Sequence, residues 1–115
     1  MPLNKKNRLK SKKDFNSVFR SGKTVNGSFL FIKFKINNLN NSRFGFVTGL
    51  KVSPKAVVRN KIKRLLSEAA RIRLRQVKNN YDIIAVVKSV EAIKMIQNDR
   101  LSGDFIAVLK KAGII

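Results

Sequence analysis

The spacing of hydrophobic residues changes several times along the chain, and each change predicts a new element. After a basic arm at residues 1–10, an S-x-x-D start at Ser11 is followed by Phe15, Val18 and Phe19 at helical spacing. Gly22 is a typical position for the end of this short first helix. The sequence therefore predicts a helix of about ten residues ahead of the first strand.

From Lys23 the period becomes two, which predicts a strand through "SFLFIKFKI". The face predicted to join the core carries Leu30, Ile32, Phe34 and Ile36. The opposite face carries Phe29, Phe31, Lys33 and Lys35. The turn-rich loop "NNLNNS" follows, so the next strand, "RFGFVTGLKV", is predicted to pair antiparallel with this one.

A long amphipathic helix is predicted next. Ser53 is a candidate N-cap and Pro54 a candidate first helical residue, and the pattern runs to about Val77. At about 100° per residue, one arc collects the predicted buried stripe of Val58, Ile62, Leu65, Leu66, Ala69 and Ile72.

The C-terminal third predicts one more strand and one more helix. The apolar run "YDIIAVV" is typical of a fully buried strand, and a helical pattern extends from about Glu91 to Lys111 with Gly103 as a candidate break. The order αβββαβα predicts a single α+β domain over residues 1–115. We expect a compact two-layer α/β sandwich with the helices on one face of the sheet.

Charge separates this chain from an ordinary domain of its size. Among 115 residues there are 26 Lys and Arg against 6 Asp and Glu, a formal net charge of +20. Such a domain attracts polyanions, which favours a nucleic-acid partner over an anionic membrane. There is no Cys and no His, which excludes disulfides, thiolate and zinc sites and histidine-based acid–base chemistry. No apolar run is long enough to span a membrane, so we expect a soluble intracellular protein.

The polar side of the long helix is almost entirely cationic. Opposite the predicted stripe lie Arg59, Asn60, Lys63, Arg64, Ser67 and Arg71, with Lys61 near the edge and Lys55 just before them. A solvated helix face is the ordinary interpretation of such a pattern, but that kind of face mixes signs, and up to Arg75 this one has only Glu68 as an acid. We therefore expect this side to contact phosphates, with Asn60 able to bind a base or a ribose.

Aromatic residues accompany cations in a second place. Phe15 and Phe19 lie one helical turn apart, and two such rings are commonly core residues. However, Phe31 and Lys33 share a strand face that cannot be fully buried, because an unpaired lysine inside a core is costly. Rings interleaved with cations are typical of sites for unpaired RNA.

Autonomous catalysis is not predicted. The six acids are scattered as Asp14, Glu68, Asp82, Glu91, Asp99 and Asp104, without the cluster that metal-dependent hydrolysis requires. We therefore predict no catalytic residue and no metal ligand in the protein.

Four segments resemble, in order and at matching spacing, the protein subunit family of bacterial ribonuclease P. They are "NRLKSKKDFNSVFRSG", "RFGFVTGLKV", "KAVVRNKIKRLLSEA" and "YDIIAVV". The R-N-x-x-K-R core, here Arg59, Asn60, Lys63 and Arg64, is the most specific part, and the D-F-x-x-V-F pattern supports it.

The resemblance implies a fold like the second domain of ribosomal protein S5, with a left-handed βαβ crossover that general rules would not predict. It implies a cytoplasmic bacterial subunit, monomeric and in 1:1 complex with a catalytic RNA, with no membrane partner. The complex removes the 5′ leader from precursor tRNA by hydrolysis that uses Mg²⁺ held mainly by the RNA, with none bound by the protein alone.

The same resemblance implies two RNA-binding surfaces. The motif-helix face, which would lie against the catalytic RNA, comprises Lys55, Arg59, Asn60, Lys61, Lys63, Arg64 and Arg71. The leader cleft, between the first helix and the sheet, comprises Phe15, Phe19, Phe31 and Lys33.

The chain departs from the family pattern in a few positions. Lys61 stands where arginine is usual and loses the bidentate fork, and Ser67 replaces a further arginine. Before the helix, Gly49, Leu50 and Lys51 stand where the family tends to read S-K-K. Two other functions stay open from the residues alone, namely a small ribosomal-type RNA-binding protein and a self-sufficient metal-dependent nuclease.

Overall fold

A computed structural model of the chain describes residues 3–49, 52–88 and 100–115. The helices and strands are α1 (Lys12–Ser21), β1 (Lys23–Asn26), β2 (Leu30–Ile36), β3 (Arg43–Thr48), α2 (Ala56–Arg73), β4 (Tyr81–Val87) and α3 (Arg100–Lys111). Short 3-10 helices occupy Lys5–Asn7 and Leu74–Gln76. The predicted order αβββαβα is confirmed, and the fold class is α+β.

The four strands form one mixed sheet in the order β1-β2-β4-β3. Strand β4 pairs antiparallel with β2 and parallel with β3. The predicted antiparallel pairing of β2 with β3 is wrong, because β4, whose middle residues are all apolar and buried, takes the central position between them. Helix α2 connects β3 to its parallel neighbour β4, and the left-handedness of this crossover stays a prediction.

Helices cover both faces of the sheet. α2 and α3 pack over the larger core, which includes Ile32, Phe34, Ile62, Ile83 and Phe105. The expectation that helices lie on one face holds for this pair but is wrong for α1, which packs on the opposite face in a smaller cluster of Leu9, Val18 and Ile84. The alternation of β2 and β4 supplies apolar side chains to both faces, so both require a cover.

Two residues expected in the core lie at its margin. Ile36 ends β2 and is 58% exposed, and Ile72 lies near the end of α2 and is 61% exposed. Each lies at the end of its element, beyond the part that the core covers. Ala70 is fully buried instead, which turns the buried stripe of α2 slightly from its predicted position.

The ends of the helices differ from the predicted caps. α2 begins at Ala56 with Lys55 at the N-cap position. Ser53 and Pro54 lie in the turn before it, where the buried Ser53 hydroxyl accepts a hydrogen bond from the Lys55 N–H at 3.1 Å. The Ser53 side chain therefore stabilises the turn rather than the first helical turn. α3 continues through Gly103, so no break occurs there, and the part of this helix predicted at residues 91–99 lies outside the described residues.

The segment predicted as a basic arm is attached to the domain. Leu3 and Leu9 are buried, and the Leu9 N–H donates to the Phe44 carbonyl at 2.9 Å. The Asn7 side chain donates to the Ser42 carbonyl at 2.8 Å. Two apolar anchors therefore hold this segment alongside β3, with Lys5, Lys6 and Lys10 exposed and the partly buried Arg8 donating to the Leu3 carbonyl at 2.7 Å.

Candidate nucleic-acid interface

The sheet face below α1 is built from cross-strand rows. In one row Phe31 of β2 lies opposite Val86 of β4, which in turn lies beside Val47 of β3, and all three are partly exposed. In the next row Ile84 of β4 lies between Lys33 and Gly45. Ile84 is fully buried because Val18 of α1 packs on it. α1 therefore covers the second row, whereas the first row, in which Val47 and Val86 also contact this cluster, stays partly exposed beside the helix.

Gly45 allows α1 to lie this close to the sheet. A Cβ atom on residue 45 would be 2.4 Å from Cζ of Phe15, far inside van der Waals contact. The Phe15 ring thus occupies the space that the side chain of any residue other than glycine would need at position 45. Phe19, one turn further along α1, is 38% exposed. Of the two predicted aromatic residues, Phe15 is mainly a packing residue at the base of the cleft, and Phe19 is open to solvent.

The predicted pair Phe31 and Lys33 does lie on the face covered by α1, as the period-two pattern indicated. Sequence reasoning missed Lys88, which follows β4 directly. Its Nζ lies 6.0 Å from the centroid of the Phe31 ring and donates to Oδ1 of Asn26 at 3.4 Å. A cation held over an aromatic ring is the combination that binds a phosphate beside a stacked base. The sequence feature that could have indicated Lys88 is its position directly after β4, the most apolar strand.

An ion-pair network fixes the start of α1 against the sheet. Arg43 binds the buried carboxylate of Asp82 through two nitrogens, at 2.8 and 2.6 Å, and reaches Asp14 of α1 at 3.1 Å. Asn37 also donates to Asp82, at 2.8 Å. The hydrogen bonds to Asp82 raise the pKa of Arg43 above its usual value, despite partial burial. Neither Arg43 nor Asn37 was singled out in the sequence.

The motif-helix face is continuous on α2, but its members differ in exposure. Lys55, Asn60, Lys61 and Arg64 are exposed, whereas Arg59 and Lys63 are partly buried. Arg59 donates to the Ser53 carbonyl at 2.9 Å, so part of its guanidinium holds the turn before the helix.

Arg71 differs from the other cations of this face because it is paired with an acid. Two of its nitrogens bind the carboxylate of Glu68, one turn earlier, which lowers the pKa of Glu68 to about 2. Its charge is therefore largely compensated within the protein.

Ser67 has a structural role at the position where the family pattern has arginine. Its hydroxyl accepts a long hydrogen bond of 3.4 Å from the Leu3 N–H. The small side chain leaves room for the N-terminal segment against α2. At this position the side chain contacts the protein's own N-terminal segment and carries no charge.

The two predicted surfaces adjoin. A depression of about 200 Å³ is lined by Phe15 of the leader cleft and Lys63 of the motif-helix face, together with Arg8 and Lys10. The structure thus brings together Phe15 and Lys63, one member of each predicted set, which lie 48 positions apart in the sequence (63 − 15), with Arg8 and Lys10 beside them.

The described carboxylates do not form a metal site. No group of three or more acids among these residues could hold a metal ion. Asp14, Asp82 and Glu68 bind arginines, and Asp104 accepts the N–H groups of Ser28 and Phe29, each at 2.9 Å. These partners do not fit a magnesium site on the protein.

Comparison with known proteins identifies the family. The family model for Ribonuclease P matches residues 3–113. The ribonuclease P protein component of Syntrophomonas wolfei is 40% identical over 112 residues, covering 97% of this chain and 92% of that relative.

Two solved structures agree. The RNase P protein of Staphylococcus aureus superimposes with a TM-score of 0.85 at 26% identity, covering 94% of this chain and 96% of that one. The RNase P protein of Thermotoga maritima gives a TM-score of 0.78 at 25% identity, covering 90% and 96%. The chain therefore belongs to the ribonuclease P protein family, the protein subunits of the ribonucleoprotein that removes the 5′ leader from precursor tRNA.

Proposed function

We propose that this chain binds the catalytic RNA of ribonuclease P through the motif-helix face and the 5′ leader of precursor tRNA through the leader cleft. The observation that carries this proposal is the junction of the two surfaces at Phe15 and Lys63. A leader that leaves the active centre of the RNA would enter the cleft while α2 remains on the catalytic RNA.

The motif-helix face would act by neutralising phosphates. Each cation that replaces a condensed counterion strengthens binding at low salt and steepens its salt dependence. Lys61 and Arg64 are exposed and have no acidic partner among the residues described, so they are the best placed for this role.

The leader cleft would give substrate selectivity. Unpaired leader bases would stack on the exposed ring of Phe19 and the partly exposed ring of Phe31, and Lys33 and Lys88 would meet the phosphates between them. Mature tRNA has no leader and would not make these contacts. The protein would therefore raise the affinity for precursor over product.

The protein would supply no catalytic group. The described carboxylates are bound to arginines and backbone N–H groups, so the RNA would be the main holder of Mg²⁺, which would supply the activation of water for hydrolysis. We further propose a monomeric subunit in a 1:1 complex with the RNA, acting in the bacterial cytoplasm. Within the described residues, no helix has both the length and the apolar character needed to cross a membrane.

Two substitutions separate the surfaces. Phe19→Ala should weaken binding of precursor tRNA by about tenfold, since one stacked ring contributes about 1–3 kcal/mol per base, and leave mature tRNA unaffected. Arg64→Ala should weaken assembly with the catalytic RNA and reduce its log–log salt slope by about 1.

Filter binding of both tRNAs and of the catalytic RNA to each variant measures these effects. Equal losses for precursor and mature tRNA in Phe19→Ala would remove the cleft assignment. Unchanged assembly of Arg64→Ala at moderate salt would remove the helix assignment.

A further inference from the structure

A second depression lies at the end of the sheet where β1 begins, β2 ends and β4 begins. We call it the end pocket; it measures about 340 Å³ and is lined mainly by Lys23, Phe34, Lys35, Ile36 and Tyr81. It lies outside the leader cleft and the motif-helix face, and none of the residues predicted for those surfaces lines it.

The end pocket combines an apolar wall with cations. Phe34 and Tyr81 meet edge to face, with ring centroids 5.9 Å apart, and Ile36 leaves most of its side chain exposed. Lys23 and Lys35 supply two positive charges, and no carboxylate occurs among the described lining residues. This composition suits a planar base on the apolar wall and a phosphate on the ammonium groups.

The leader cleft and the end pocket lie on opposite faces of the sheet, because Lys33 and Lys35 alternate with Phe34 and Ile36, and the two meet only round the end of β2. Phe31, Lys33 and Lys35 alternate along β2 and point to the face that α1 covers. From Phe31 to Lys35 the strand extends about 13 Å, enough for more than one nucleotide. The Lys35 ammonium donates to the Ser17 hydroxyl of α1 at 2.5 Å, which fixes it near the end of β2.

We propose that the end pocket holds an unpaired nucleotide of the 5′ leader, farther from the tRNA body than the nucleotides in the leader cleft. The base lies against Tyr81 and Ile36, and Lys23 and Lys35 bind its phosphate. This inference rests on the proposed function of the leader cleft, because the leader must pass through that cleft to reach the pocket.

Leader length tests this proposal. Precursor tRNAs with leaders of about 4 and about 12 nucleotides span the range of single-strand sites on small domains. Their dissociation constants are measured with the holoenzyme reconstituted from this chain and a bacterial ribonuclease P RNA. The variants are Lys23→Ala, whose exposed side chain is not needed for strand pairing, and Ile36→Glu, which places a carboxylate in the pocket.

With the long leader, each variant should weaken binding by about fivefold or more, and with the short leader neither should change it. Lys12→Ala is the matched control, because it removes one exposed charge at the opposite end of α1 and should show no dependence on leader length. Equal losses with both leaders would assign the pocket to the catalytic RNA or the tRNA body and overturn the proposal. Unchanged long-leader affinity in both variants would also overturn it.

The wild-type protein distinguishes this inference from the proposed function. If the wild-type holoenzyme binds precursor and mature tRNA equally, the leader cleft itself is wrong. If it prefers the precursor but the end-pocket variants lose nothing with the long leader, only the end pocket is wrong.

Discussion

Gly45→Ala should disturb the leader cleft while sparing the motif-helix face. The added Cβ would lie 2.4 Å from Cζ of Phe15 and 3.0 Å from Cε1, whereas ordinary contacts begin near 3.4 Å. The ring must therefore withdraw by about 1 Å, either by rotating into the cleft or by lifting α1 from the sheet.

The expected magnitudes follow from this displacement. Overpacking of this kind costs about 1–3 kcal/mol in the free energy of unfolding. Lifting α1 by this distance would also move Phe19, on the same helix, out of alignment with a stacked base, so the affinity for precursor tRNA should fall by about tenfold. Affinity for mature tRNA and assembly with the catalytic RNA should remain unchanged, since neither uses the cleft.

Urea unfolding followed by circular dichroism, at one fixed salt concentration, measures the stability, and filter binding measures the affinities. Gly103→Ala is the control, because a Cβ at that position in α3 meets nothing within 4 Å. It should stabilise the protein by about 0.5–1 kcal/mol and leave RNA binding unaltered. Wild-type stability together with wild-type precursor affinity in Gly45→Ala would refute the inferred contact between β3 and α1.

Two further predictions concern charge pairs. Arg43→Met leaves the Asp82 carboxylate, which is 5% exposed, without its main partner and should lower the free energy of unfolding by about 3 kcal/mol. Much of this stability should return in the double variant that also carries Asp82→Leu. Additive losses for the two substitutions in urea unfolding would contradict this prediction. Glu68→Gln frees Arg71 and should steepen the log–log salt slope of catalytic-RNA binding by up to about 1, and an unchanged slope would exclude Arg71 from the interface. Because the pKa of Glu68 is lowered to about 2, its pairing stabilises the wild type relative to the Glu68→Gln variant above pH 4.5 and is lost as pH falls towards 2, so the stabilities of the two proteins should converge there in an acid titration.

The elements of this fold could be predicted from periodicity, but their arrangement could not. The alternation in β2 correctly indicated which of its residues enter the core, with the exception of the terminal Ile36. Strand order depends on which strand buries the most apolar surface when it has a neighbour on each side. A rule for pairing consecutive strands as hairpins does not take that burial into account. For the same reason the position of α1, on the face opposite α2 and α3, was not predicted.

For the candidate site, too, local patterns could be predicted from the sequence but contacts between distant segments could not. Cations and rings could be assigned to two surfaces from spacing on α1, β2 and α2. Contacts between distant segments could not be assigned, which is why Gly45, Arg43 and Lys88 were missed. The contact of Ser67 with the distant Leu3 was missed for the same reason, whereas Arg71 pairs with Glu68 only three residues away, a partner that helical spacing could have indicated.

The central claim is that this chain acts as the protein subunit of a catalytic RNA and has no active site of its own. Cleavage of a 5′-extended tRNA at low magnesium tests it most directly, with a bacterial ribonuclease P RNA alone, this protein alone, and the two together. We predict accurate removal of the leader only in the mixture. Cleavage by the protein alone, or a mixture no more active than the RNA alone, would contradict the account.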